Sequence, residues 1–253
     1  MFTQDSLCED IATLCFSAEE VSTTSWIDVQ ERIVVKVMTD THNDQFTINR
    51  MAQANSQEGE SLEAKQMTDA LADDHYGSIL NGGMGDDSIR GYAGWDMICG
   101  GAGNDFVRAG NGRDIVHGGT GSDELHGDFG WNTFQSEKDG FSDLIAIKSD
   151  EYLTNWIYGK TGNNPNGEKA DIIEGLDASD RIKIIGVFTP DISLWAESVA
   201  HGVSGIGIYA KDSLEALHTG NDLSVAQLSA MVTGDGSAAA IANQIHSYGW
   251  TGI

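Results

Sequence analysis

The feature that most constrains this 253-residue chain is a nine-residue unit repeating six times without a gap between Gly82 and Gln135. In register the units read GGMGDDSIR, GYAGWDMIC, GGAGNDFVR, AGNGRDIVH, GGTGSDELH and GDFGWNTFQ. The fourth position is always glycine (Gly85, Gly94, Gly103, Gly112, Gly121, Gly130). The sixth is Asp87, Asp96, Asp105, Asp114, Asp123 and then Asn132, and the eighth is always apolar: Ile89, Ile98, Val107, Val116, Leu125, Phe134.

Glycines spaced this way let the backbone take positive φ and turn sharply, leaving carbonyls pointed into the turn. The last three residues of each unit are long enough for a very short strand, whose middle side chain points inward. Two half-coils of nine residues bring the chain back to the same edge, so turns 18 residues apart in sequence stack one strand spacing, about 4.8 Å, apart in space. Asp87, Asp105 and Asp123 then line one edge, and Asp96, Asp114 and Asn132 the other.

Carboxylates stacked about 5 Å apart repel by roughly 3 kcal/mol at an effective dielectric of 20. A cation between the rungs removes that repulsion. Calcium accepts six to eight oxygens at roughly 2.3–2.6 Å, carboxylate and carbonyl alike, whereas magnesium needs shorter bonds and keeps water. The expected side-chain ligands of Ca2+ are Asp87, Asp96, Asp105, Asp114 and Asp123, with Asn132 as a neutral one. The expected carbonyl ligands are those of Gly83, Gly85, Gly101, Gly103, Gly112, Gly119 and Gly121. The first edge carries the full glycine pattern. The second has Tyr92 and Asp128 at the second position and Ala109 at the first, so weaker or fewer ions are expected there. Six apolar side chains are a small core for so long a segment, so the coil is expected to be disordered without the metal.

The unit matches G-G-x-G-x-D-x-U-x with U apolar, and the chain resembles the RTX (haemolysin-type) calcium-binding repeat family. The resemblance implies a mainly β protein built on a parallel β-roll, with Ca2+ as its cofactor. It also implies export by type I secretion with an uncleaved signal near the C-terminus, hence an extracellular or cell-surface location. The expected organisation is a helical N-terminal segment over 1–72, the roll over 73–141, a β-rich cap over 142–235, and a tail over 236–253 that suits a secretion signal or an ordinary helix.

Composition agrees. Acidic side chains number 39 against 14 basic, a formal charge of −25. That argues against nucleic acid or an anionic membrane surface as partner, since both demand clustered positive charge. No stretch approaches the roughly 18 uninterrupted apolar residues of a membrane-spanning helix. The first residues, MFTQDSLCEDIATL, lack the basic and apolar regions of a cleaved leader. Cys8, Cys15 and Cys99 are odd in number and form no CxxC, which indicates neither a disulfide framework nor a zinc site. Cys8 and Cys15, seven apart, are spaced to share a helix face, and for them buried free thiols are the plainer expectation.

Before the repeats, Ser25 caps an expected helix through Trp26 to Met38, with further helices expected over Gln45–Ala54 and Ser61–Leu71. Asp73 to Asn81 keeps only Leu80 in phase and reads as a cap. After the repeats, Asp139–Ile147 ends in strand alternation. Ala170–Val187 resembles the strand, D-x-x-D turn and strand that follow the rolls of secreted serralysin-type proteins. Its Asp171, Asp177 and Asp180 either bind a further ion or, more simply, serve as turn and cap carboxylates. Strand-like runs follow at Ile192–Val199, Gly205–Ala210 and Leu214–His218, then a short helix over Val225–Met231 capped near Asn221, Asp222 or Ser224.

No HExxH, GxSxG or P-loop pattern occurs. His117 and His126, at position nine of successive units, fall on opposite sheets and are not expected to share a metal. The expectation is a secreted, non-enzymatic protein that folds on binding calcium outside the cell. The alternatives are a calcium-dependent surface-layer, adhesive or filament subunit with a self-assembly or cell-surface partner, and a small secreted hydrolase.

Overall fold

The computed structural model describes residues 33–35, 46–53, 61–63, 76–149 and 169–241. The nine-residue period becomes strands β4 (Tyr76–Met84), β5 (Ser88–Gly94), β6 (Met97–Ala102), β7 (Phe106–Gly112), β8 (Ile115–Thr120), β9 (Glu124–Gly130) and β10 (Thr133–Gln135). Successive strands alternate between two parallel sheets. Residues 18 apart are direct neighbours, as in Ile98↔Val116 and Val107↔Leu125.

The winding continues beyond the repeats. β11 (Leu144–Lys148) lies on β9, β12 (Asp171–Glu174) on β10, and β13 (Arg181–Ile185) on β11. Further along, β16 (Ser213–His218) lies on β12 and β17 (Val232–Asp235) on β13, all parallel. Residues after 141 therefore add rungs to the same two sheets instead of sitting beside them. A hairpin of β14 (Ile192–Ala200) and β15 (Val203–Ala210) extends one sheet through antiparallel pairing with β16. Helix α1 (Val225–Met231) starts at Ser224, whose hydroxyl accepts the Gln227 N–H in a reciprocal capping box.

Before the repeats lie β1 (Ile33–Val35), β2 (Phe46–Gln53) and β3 (Ser61–Glu63), with β2 parallel to β4 and β3 parallel to β5. This corrects the helices expected across these stretches. The first strand of a roll leaves a row of backbone N–H and C=O groups that need partners, and a run such as FTIN, with β-branched Thr47 and Ile48, pairs with them readily. The rest of the stretch over 1–72 where helix is expected, and most of the C-terminal tail, lie outside the described residues.

The core is a double file of eighth-position side chains. Leu80, Ile98, Val116, Phe134 and Ile173 face Ile89, Val107, Leu125, Ile145 and Ile182, all buried in one cluster. At roughly 1.5–3 kcal/mol per buried side chain, these files give the sheets their cohesion. They also fix the register that stacks the turns.

Candidate metal centre

Each turn positions its aspartate through backbone geometry. On the better-patterned edge Gly83, Gly101 and Gly119 have φ of +95°, +117° and +101°. A Cβ on Gly101 would lie 2.1 Å from the Gly83 carbonyl oxygen, so the close stacking of turns requires glycine there. On the other edge Tyr92 and Asp128 hold the equivalent positions at +71° and +63°. That region is costly for non-glycine residues.

The aspartates form two ladders. The Asp87 N–H donates to Asp105 Oδ1 at 2.8 Å, Asp105 N–H to Asp123 Oδ1 at 2.8 Å, Asp123 N–H to Asp143 Oδ1 at 3.0 Å, and Asp143 N–H to Asp180 Oδ1 at 3.0 Å. Opposite, Ser78 N–H donates to Asp96 Oδ1 at 2.6 Å, Asp96 N–H to Asp114 at 2.8 Å, Asp114 N–H to Asn132 Oδ1 at 3.0 Å, and Asn132 N–H to Asp171 Oδ1 at 2.6 Å. The two files expected from the repeat thus come together as files. Asp143, Asp171 and Asp180 extend them.

One oxygen of Asp96, Asp105, Asp114 and Asp123 is satisfied in this way. The second oxygens of Asp96, Asp105, Asp114 and Asp123 are buried with no hydrogen-bond donor. They face other oxygens. A Cβ placed on Gly100 would meet Asp105 Oδ2 and the Gly118 carbonyl oxygen, each at 2.3 Å. A Cβ on Gly82 would meet Asp87 Oδ2 at 2.3 Å and the Gly100 oxygen at 2.4 Å, and one on Gly91 meets the Ala109 oxygen and Asp96 Oδ2 at 2.3 and 2.5 Å. Two acceptors crowding one point without a proton between them form a cradle for a cation.

Burial accordingly pushes these carboxyls up when no cation lies between the rungs. Asp105 rises to about 6, Asp123 to about 7 and Asp114 to about 8, desolvation outweighing the N–H donors. Asp96 is raised well above the usual range by burial and then by the Asp114 charge. Among the described residues no group of three acidic, histidine or cysteine side chains gathers around one point. The donor set at each cradle is therefore carboxylate oxygen completed by carbonyls, the all-oxygen set that calcium takes.

The expected carbonyls divide. Those of Gly83, Gly85, Gly101, Gly103 and Gly112 press on the glycine one rung on, where a Cβ would meet them at 2.1, 2.1, 1.9, 2.0 and 1.8 Å. The carbonyls that share a cradle with Oδ2 of Asp87, Asp105 and Asp96 belong to Gly100, Gly118 and Ala109, which the repeat alone did not single out. Gly119 and Gly121 complete the third turn of this edge. Asn132 Oδ1 accepts the Asp114 N–H, so its Nδ2 turns toward Gly127, where a Cβ would meet it at 2.5 Å. Asp177 accepts the Gly140 and Ser179 N–H groups and serves the turn. His117 lies 3.6 Å from Glu137 and His126 bonds Glu124 at 2.8 Å, on separate sheets. Cys99 is disulfide-bonded, although the odd cysteine count and the lack of a CxxC indicate no disulfide framework, and its partner lies outside the described residues.

No curated protein and no solved structure matches the chain. The family model of the RTX calcium-binding nonapeptide repeat, in four copies, matches residues 77–107 and 108–137. Those two blocks cover the stacked turns, the unpartnered carboxylate oxygens and the facing carbonyls of both edges. Residues 77–137 are thus RTX calcium-binding nonapeptide repeats wound into a parallel β-roll, and Ca2+ is the ion they bind.

Proposed function

We propose that Asp87, Asp96, Asp105, Asp114 and Asp123, with carbonyls of adjacent turns, hold the calcium ions, and that filling these sites is the event that folds the chain. The observation that carries this reading is the set of buried carboxylate oxygens facing carbonyl oxygens across successive rungs. A metal-free file must either take up protons or splay, and both disfavour the closed coil at neutral pH. The biological role is calcium-triggered folding after export. The chain stays loose where calcium is scarce and becomes a rigid acidic body where calcium is plentiful, as the weaker affinities of extracellular calcium modules allow.

The repeats are a binding element, and the chain as a whole is read as non-enzymatic. Among the described residues no helix is long and apolar enough to cross a membrane. Limited proteolysis with and without calcium tests the folding role: residues 76–149 resist cleavage in calcium and are cut in chelator. Equal resistance in both contradicts it. Export is tested separately by deleting the last fifty or so residues, which should retain the chain inside the producing cell.

A second reading, self-assembly into a surface layer or filament, is favoured by one feature. Strand β14 ends its sheet and exposes Trp195 and Val199, at 63% and 59%. Light scattering that grows on adding calcium supports it, and an unchanged monomer excludes it.

A further inference from the structure

We propose that Ser136 ends the calcium file on the better-patterned edge: its hydroxyl takes the place of a cation in the fourth turn, and no ion enters between Asp143 and Asp180. The proposal rests on the calcium reading above and adds where the ions stop.

Ser136 follows Gly118 by 18 residues, as Gly118 follows Gly100 and Gly100 follows Gly82. At those three glycines a Cβ would sit 2.3 to 2.4 Å from the Oδ2 of the turn's own aspartate. Ser136 carries both a Cβ and a hydroxyl into the equivalent position and is buried. The hydroxyl donates to Asp143 Oδ2 at 2.5 Å and lies 3.5 Å from Asp180 Oδ2. The remaining oxygens are also met by protein donors. Asp143 Oδ1 accepts the Asp123 N–H, Asp180 Oδ1 accepts the Asp143 N–H, and Asp180 Oδ2 accepts the Asp177 N–H at 2.8 Å. The contrast with Asp105 and Asp123, whose Oδ2 atoms have no donor, is complete.

The rest of this turn also substitutes side chains for the repeat's backbone. In earlier turns the Gly85 and Gly103 N–H groups donate to the carbonyls of Ala102 and Thr120 at 2.7 and 2.9 Å. The Gly121 N–H donates instead to Asp139 Oδ2 at 2.8 Å. The fourth turn therefore reproduces the stacking of a calcium turn with hydrogen bonds alone. A calcium ion there would have to displace the Ser136 proton donor and find room beside its Cβ.

The test uses the full chain crystallised in calcium and examined by calcium anomalous scattering. Peaks are expected beside the Oδ2 atoms of Asp87, Asp105 and Asp123, and none within bonding distance of Asp143 Oδ2. A peak at Asp143 together with peaks beside Asp87 and Asp105 overturns this inference alone. No peaks beside Asp87 and Asp105 overturns the calcium reading and this inference with it. Calorimetric stoichiometry gives an independent check: Ser136→Gly should bind one more ion than the unmodified chain, and Ser136→Ala the same number, because its methyl still fills the space. An unchanged count in Ser136→Gly overturns the proposal; if that variant does not fold, the anomalous map decides.

Discussion

The backbone N–H of Asp105 donates to Oδ1 of Asp123, one rung further on, at 2.8 Å, while Oδ2 of Asp123 stays buried without a donor. One carboxylate thus does two jobs. Its first oxygen fixes the spacing of the rungs through a charge-assisted hydrogen bond, and its second is the one proposed to hold a cation.

Because Asp105 lies between two turns of the better-patterned edge, Asp105→Asn should weaken calcium binding by about tenfold or more, a loss of roughly 1.4 kcal/mol per decade. Asn132→Ala should change it far less, since the Asn132 amide turns its nitrogen toward the Gly127 cradle. Titration calorimetry of the two variants decides. Equal losses contradict the assignment of the files.

Gly100→Ala places a methyl where Asp105 Oδ2 and the Gly118 carbonyl converge, each 2.3 Å away. Overpacking of this kind costs about 1–3 kcal/mol. Urea unfolding in saturating calcium should show that loss together with weaker calcium binding. A variant of unchanged stability and affinity contradicts the cradle.

The pH dependence follows from protonation. Asp105, Asp123 and Asp114 stand at about 6, 7 and 8 in the folded metal-free coil, against about 3.9 when unfolded. The folded metal-free state therefore binds more protons, and it loses stability as pH rises from about 4 through 8. Calcium displaces those protons, so its affinity should rise between pH 6 and pH 8. Calorimetry in buffers of different ionisation enthalpy should detect proton release; no release contradicts the burial of these carboxyls.

Leu125 is fully buried, in register between Val107 and Ile145. Leu125→Ala should cost about 2–5 kcal/mol in saturating calcium. Thermal melts read the change, and a negligible shift contradicts a shared core between the sheets.

Much of this was legible in the repeat itself. Period, glycine spacing and the apolar eighth position together dictate stacked turns, and aspartate at position six dictates a cation. What escaped the period lies where insertions break it. Asp143 follows Asp123 by 20 residues and Asp171 follows Asn132 by 39, yet both stack as if the interval were 18. The carbonyls of Gly100, Gly118 and Ala109 escaped because backbone direction within a turn is not written in side-chain identity. Phe46–Gln53 carries helical spacing and is a strand because its partner, the open edge of β4, exists only once the roll is wound. Helix α1 was readable, since the Ser224 and Gln227 capping pair is a purely local signal.

The most direct measurement is far-ultraviolet circular dichroism of the full chain during a calcium titration begun in chelator at neutral pH. Strand signal should be largely missing at the start and grow to saturation with added calcium, and magnesium at the same concentration should not replace it. A full strand signal already present in chelator would contradict calcium as the ligand that closes the roll.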